Sequence, residues 1–200
     1  ERYHRLLATG DDELAAIAFN AATRRDWLDW RCAIFGESGQ EIRDRLDQFA
    51  QGKESGGCVV EPAMSDAGRL AFVYSGNGAQ WLGMGLELMA QSPEFAATLQ
   101  LLDTRIASWS GFSIIEELQA SEADSRLADT AVSQPLLFAI QVGVTELLWA
   151  EGLKPEAYTG HSVGEVAAAW AAGIFSLEQA IEVVCQRSHA QAETHDQGRM

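Results

Sequence analysis

The chain has 200 residues, of which 47% are hydrophobic and 22% charged, a globular composition that excludes an intrinsically disordered polymer. Fourteen Lys and Arg against 29 Asp and Glu leave a net charge of −15, which argues against sequence-independent binding of nucleic acid and against an anionic membrane surface, since both need cations. No uninterrupted apolar run approaches the ~20 residues of a bilayer span, Glu1–His4 is no signal peptide, and Cys32, Cys58 and Cys185, widely spaced, indicate reduced thiols in a cytoplasmic protein and no metal site.

Residues 1–53 carry eight basic and ten acidic residues and the remainder six and 19, so most of the negative charge follows the polar, glycine-rich break Gly52-Lys53-Glu54-Ser55-Gly56-Gly57. Before that break, Leu14, Ile17, Ala18 and Ala21 predict a helix over Asp11 to Thr23, with acids in its first turn. Arg31 to Phe35 fits a short strand. Ser38-Gly39-Gln40-Glu41 is a capping-box pattern, and Ile42, Leu46 and Phe49 then fall on one helix face. Cys58-Val59-Val60 is a second short strand. Helix, strand, helix, strand makes a small α/β module, marginal alone because it buries little surface. Trp27 and Trp30 are expected to be packing residues. The chain begins without Met and ends on Gly198-Arg199-Met200, and it is expected to be a piece of a longer protein.

Leu70 to Tyr74 predicts a buried strand ending at Ser75-Gly76-Asn77-Gly78-Ala79-Gln80. The dinucleotide pattern fails there because Trp81 stands at the third glycine position, and no Lys-Ser or Lys-Thr completes a P-loop. Two readings stay open: a tight turn with positive φ, or a loop presenting backbone N–H groups to an anionic atom. Ser92-Pro93 opens a helix with Phe95, Leu99, Leu102 and Ile106 on its core face. Ser133-Gln134-Pro135 is expected to open the next, and Leu136 to Trp149 is apolar nearly all round, so it is expected to be deeply buried. Gly152 and Pro155 close it.

Gly160-His161-Ser162-Val163-Gly164 is a G-x-S-x-G pattern between a short strand (Ala157 to Thr159) and an alanine-rich helix closed by Gly173. A serine on so sharp a turn has its hydroxyl pushed outward, and the helix start offers free N–H groups where an oxyanion would form. The alternative for Ser162 is an ordinary helix cap. Ser176-Leu177-Glu178-Gln179 opens a further helix that runs to Arg187, where an arginine would ordinarily be solvated or complement the dipole. None of His161, His189 and His195 stands out as a general base.

Ser75-Gly76-Asn77-Gly78-Ala79-Gln80-Trp81-x-Gly83-Met84-Gly85, Gln134-Pro135-x-Leu137-Phe138, Gly160-His161-Ser162-x-Gly164-Glu165 and Arg187-Ser188 occur in the order and spacing of an acyltransferase domain. The chain resembles the malonyl-CoA:acyl carrier protein transacylase family, as found in modular type I polyketide synthases, over about residues 68–200. Residues 1–62 look like the α/β linker that joins a ketosynthase to its acyltransferase. The resemblance implies an α/β fold, the linker module followed by the first part of an α/β-hydrolase-like core. It places a ferredoxin-like insert and the catalytic histidine beyond residue 200, so the 200 residues alone are expected to be inactive. Ser162 matches the nucleophile, the backbone N–H groups of Val163 and Asn77 match the oxyanion hole, and Arg187 matches the arginine that pairs with the free carboxylate of a malonyl-type substrate. Implied substrates are malonyl-CoA or a related acyl-CoA and the phosphopantetheine thiol of an acyl carrier protein, with no permanently bound cofactor. The implied neighbour is a ketosynthase domain.

Two features depart from the family: Ser75-Gly76-Asn77-Gly78 where Pro-Gly-Gln-Gly is usual, and a less apolar elbow strand with Glu156, Tyr158 and Thr159. Val163 after the serine looks like malonyl-selective members, where methylmalonyl-selective ones more often carry Gln. The competing readings are a serine hydrolase or thioesterase sharing the elbow, and a non-catalytic docking segment.

Overall fold

The computed structural model describes Tyr3 and residues 14–53, 56–64 and 68–194. Asp11 to Glu13, expected to start the first helix, Ser55 in the polar break and His195 lie outside the described residues. The chain divides into two compact units, Glu1–Gly68 and Arg69–Met200.

The first unit contains α1 (Leu14–Thr23), β1 (Trp30–Ile34), α2 (Gly39–Ala50) and β2 (Cys58–Pro62). Ser38 caps α2 by accepting the Glu41 N–H at 3.2 Å. The Glu41 carboxylate accepts from Glu37 N–H at 2.8 Å, one residue further back than a capping box requires. β1 and β2 pair antiparallel, from Trp30 opposite Pro62 to Ile34 opposite Cys58. Leu14, Ile17, Ile42, Leu46 and Phe49 line an apolar cleft of about 300 Å³ between the helices and β1. Trp27 and Trp30 are not packed away as expected: both are exposed, and the Arg31 guanidinium lies 4.5 Å from the Trp27 ring centroid. A two-stranded ribbon with two helices has too few layers to enclose them.

The second unit holds β3 (Ala71–Tyr74), α3 (Leu86–Gln91), α4 (Pro93–Ser110), α5 (Ile114–Gln119), α6 (Thr130–Ala150), β4 (Ala157–Gly160), α7 (Gly164–Ala171) and α8 (Leu177–Glu193). β3 and β4 are parallel, Ala71 opposite Ala157 and Tyr74 opposite Gly160. Helices α4, α6, α7 and α8 pack round a core that includes Phe95, Leu99, Phe138 and Ile181. The four residues expected on the core face of α4 are each fully buried, and Ser92 accepts the Phe95 N–H at 3.2 Å.

Three expectations are corrected by the fold. β3 is not buried throughout: Tyr74 is, but Val73 is 75% exposed, because among the described residues β3 pairs only with β4 and alternate side chains face away from the helices. Ser133-Gln134-Pro135 does not open a helix. Asp129 caps α6 through a 2.9 Å bond from Ala131 N–H, and the three residues sit buried in its second turn. α8 continues past Arg187 to Glu193 and so includes His189. α6 is the one helix among the described residues long and apolar enough to cross a bilayer, and most of it is buried within this unit.

The polar elbow strand is held by its aromatic residue. Tyr158 on β4 makes edge-on contacts with Phe72 on β3 and Trp149 on α6, at 6.0 and 6.3 Å between centroids. Trp149 in turn lies 5.3 Å from Trp170 of α7. The tyrosine hydroxyl edge explains why the strand looks less apolar than it packs.

Candidate active site

β4 ends at Gly160 and α7 begins at Gly164, so three residues reverse the chain. Ser162 takes φ +55°, the only positive value for a non-glycine residue among those described. Gly160 and Gly164 permit this by close approach. A Cβ on Gly160 would stand 2.1 Å from the Gly164 carbonyl, and one on Gly164 would stand 2.4 Å from the Tyr74 oxygen. The turn is tied back to the sheet by His161 N–H donating to Tyr74 O at 3.0 Å.

The helix-cap alternative for Ser162 is overturned. The N-cap of α7 is Val163, without a side-chain cap bond, and the Ser162 hydroxyl is engaged elsewhere. Arg187 Nη2 donates to Ser162 Oγ at 3.2 Å. Arg187 is therefore not a solvated helix-end residue: it is half-buried, with two turns of α8 still to come. Its Nη1 donates to Gln134 Oε1 at 2.5 Å and to Gln191 Oε1 at 3.2 Å, and Gln134 Nε2 donates to Gln191 Oε1 at 2.6 Å. Each of these partners is neutral, and no carboxylate among the described residues forms an ion pair with Arg187. A guanidinium so placed has the donors and the charge to bind an anion.

The glycine-rich loop after β3 abuts this elbow. A Cβ on Gly76 would lie 2.5 Å from His161 Nδ1 and 3.2 Å from Ser162 Cβ. Three side chains pin the loop. Gln141 Nε2 donates to Ser75 O at 2.8 Å, Ser133 Oγ donates to Asn77 Oδ1 at 3.0 Å, and Gln80 takes the Gly78 N–H at 2.7 Å while donating to Leu127 O at 3.1 Å. The backbone N–H groups of Val163 and Asn77 make no hydrogen bond among the described residues. They remain free to donate.

Ser162, Val163 and Arg187 are thus brought together, with the Asn77 loop against them. Gln134 and Ser133 were read in the sequence only as a motif and a helix start, and Gln141 was not singled out; their roles in building the site were missed. Their signal was polar residues on an otherwise apolar helix. Neither described histidine hydrogen-bonds the Ser162 hydroxyl: His161 and His189 are exposed, and His189 Nε2 lies 3.7 Å from Glu193. Cys185, on the buried face of α8, is buried, and burial pushes its thiol up to about 11. Among the described residues no cluster of three or more His, Cys, Asp and Glu could hold a metal ion.

The acyl transferase domain family profile matches residues 71–200. The polyketide synthase GfsE of Streptomyces halstedii is 36% identical over 190 residues, which is 93% of this chain and 5% of that protein. The acyltransferase domain from module 8 of the salinomycin polyketide synthase superposes with a TM-score of 0.75 at 32% identity, over 90% of this chain and 42% of that one. The malonyl-CoA:ACP transacylase of Synechocystis sp. PCC 6803 gives 0.54 at 34% identity, over 62% and 40%. The chain therefore spans only a small share of the length of its curated relatives.

Proposed function

The chain belongs to the acyl transferase domain family, and on that footing we propose that it carries a malonyl-type acyl group from coenzyme A to the phosphopantetheine thiol of an acyl carrier protein during polyketide extension. The observation that carries this reading is the Arg187 guanidinium 3.2 Å from Ser162 Oγ with only neutral partners. It can hold the free carboxylate of a malonyl group through two charge-assisted hydrogen bonds while the other carbonyl faces the hydroxyl.

Ser162 Oγ attacks the thioester carbonyl, and the oxyanion takes hydrogen bonds from the N–H groups of Val163 and Asn77. Coenzyme A leaves as its thiol. The carrier thiol then attacks the serine ester, and Ser162 recovers its proton. The resemblance assigns the proton transfers to a histidine further along the full-length protein. No permanently bound cofactor takes part. Val163 after the nucleophile supports malonyl over methylmalonyl as the acyl group.

Residues 1–62 are the ketosynthase-to-acyltransferase linker in this reading, and residues 68–200 the start of the acyltransferase. Relatives match 93% of the chain while the family profile starts at residue 71, which supports a first unit shared with whole synthases. The setting of such a synthase is the cytoplasm.

The full-length protein incubated with malonyl-CoA should gain one acyl mass on the peptide containing Ser162, and Ser162→Ala should abolish it. Persistence of the adduct in that variant would sink the assignment. Arg187→Ala removes a charged hydrogen-bond pair worth ~1.5–3 kcal/mol, so malonyl transfer should fall by on the order of ten- to a hundredfold while acetyl transfer holds or rises. Equal losses for the two substrates would make Arg187 structural.

A further inference from the structure

We propose that Cys32 and Cys58 form a thiol–disulfide exchange site, which a low-molecular-weight disulfide such as oxidised glutathione closes into an intramolecular bond across β1 and β2. The antiparallel register sets Ile34 opposite Cys58 and Cys32 opposite Val60. Cys32 and Ile34 are two residues apart on one strand and so share a face, which puts both cysteines on that face as diagonal neighbours. Their sulfurs are 3.8 Å apart, in van der Waals contact, and closure to a bond of ~2.05 Å needs them to approach by about 1.8 Å. Cys32 is exposed and Cys58 partly so, which admits a small oxidant; the third thiol, Cys185, is buried.

The chemistry balances in two exchanges. The thiolate of one cysteine attacks the small disulfide, forming a mixed disulfide and releasing one small thiol. The second cysteine's thiolate attacks the protein sulfur of that mixed disulfide and releases the other. The two protein thiols lose two protons and two electrons, and the oxidant is reduced to two thiols. Whichever cysteine reacts first, Cys32 has to act as a thiolate in one of the steps.

Its neighbourhood controls the rate. Cys32 lines the apolar cleft below α1 and α2, and desolvation there, with the adjacent Cys58 thiol adding to it, pushes the Cys32 thiol up to about 11. Closure is therefore slow at neutral pH and speeds up by about tenfold per pH unit while Cys32 is mostly protonated. At neutral pH the site holds its reduced state kinetically and reports sustained oxidising conditions.

The test uses the full chain incubated with oxidised glutathione from pH 7 to 9, acid-quenched, alkylated and cleaved with trypsin. The expected product is a single cross-linked species joining the peptide that begins at Cys32 to the one spanning residues 54–69. It should form faster at each higher pH and revert with dithiothreitol, and Cys185 should be recovered alkylated only after unfolding. Cys32→Ser and Cys58→Ser should each stop at a glutathione adduct on the remaining cysteine. Recovery of both thiols free, separate glutathione adducts on both in the unsubstituted chain, or closure at a rate independent of pH would overturn the proposal. None of these readouts depends on acyl transfer, so failure here leaves the reading of Ser162 untouched.

Discussion

The two units are built from the same ingredients and end in opposite states. In the first, capped α2 and paired β1 and β2 form as their local sequence dictates, yet among its described residues only Gly39 is buried. In the second, four helices close over a two-stranded parallel pair and bury Phe95, Leu102, Phe138 and Ile181 completely. Secondary structure is a local property and a core is not: it needs enough layers to exclude water from both sides of each apolar face. Every buried polar group that positions the site lies in the second unit, where low dielectric strengthens its hydrogen bonds and makes an unpaired one costly.

Truncating packed side chains is the strongest way to break this contrast. Phe138→Ala should destabilise the second unit by about 3–5 kcal/mol, and Val59→Ala, at a half-exposed strand position, the first by under about 1 kcal/mol, as read by hydrogen exchange of each unit in the full chain. Comparable losses would mean the first unit has a core that its exposure conceals. Alkaline titration should sharpen the contrast further. The folded state holds the Cys185 thiol near 11 against an ordinary thiol value of 9.0, so its neutral form favours folding fully below pH 9, and that contribution declines as pH rises toward 11. On the order of 2 kcal/mol should disappear from the second unit over that window, and Cys185→Ala should flatten the slope. A Cys185 that reacts with a thiol reagent at pH 7 without unfolding would contradict this. The smallest effect should be equal in the two units. Ser38→Ala and Ser176→Ala each remove one cap bond and should each cost about 1 kcal/mol, because capping is local whatever the packing. A large asymmetry between them would show that one cap is tied into tertiary structure.

How far the sequence was legible follows the same division. Short-range signals were readable: the Ser92 and Ser176 caps, the core stripe of α4, and the strand–Ser162–helix arrangement all rest on residues within a turn or two of one another. The Asp129 cap was missed because Ser133-Gln134-Pro135 offers a second, equally good start signal four residues later, and packing chose between them. The short helices α3 and α5 were missed because six residues carry too little periodicity. Gln134 and Ser133 as site-building residues were invisible, since their partners Arg187 and Asn77 lie 53 and 56 residues away. Val73 read as buried because an apolar run does not say how many neighbours a strand will have.

One helix supplies most of those long-range partners. From α6, Ser133 reaches Asn77, Gln134 reaches Arg187, Gln141 reaches Ser75, and Thr145 meets the Tyr74 hydroxyl at 3.0 Å. The loop after β3 and Arg187 come from distant stretches of chain, but both are gauged from this one helix. In mechanical terms α6 is a common datum: a small translation of the helix moves the loop after β3 and the arginine together, and their mutual spacing does not accumulate error from one contact to the next. A displacement of α6 is then passed to both, whereas a bend within α6 would change the gap between the loop and the guanidinium. Pro135, which withholds one ladder donor from the Ala131 carbonyl beside Ser133 and Gln134, is the point at which such a bend would be cheapest.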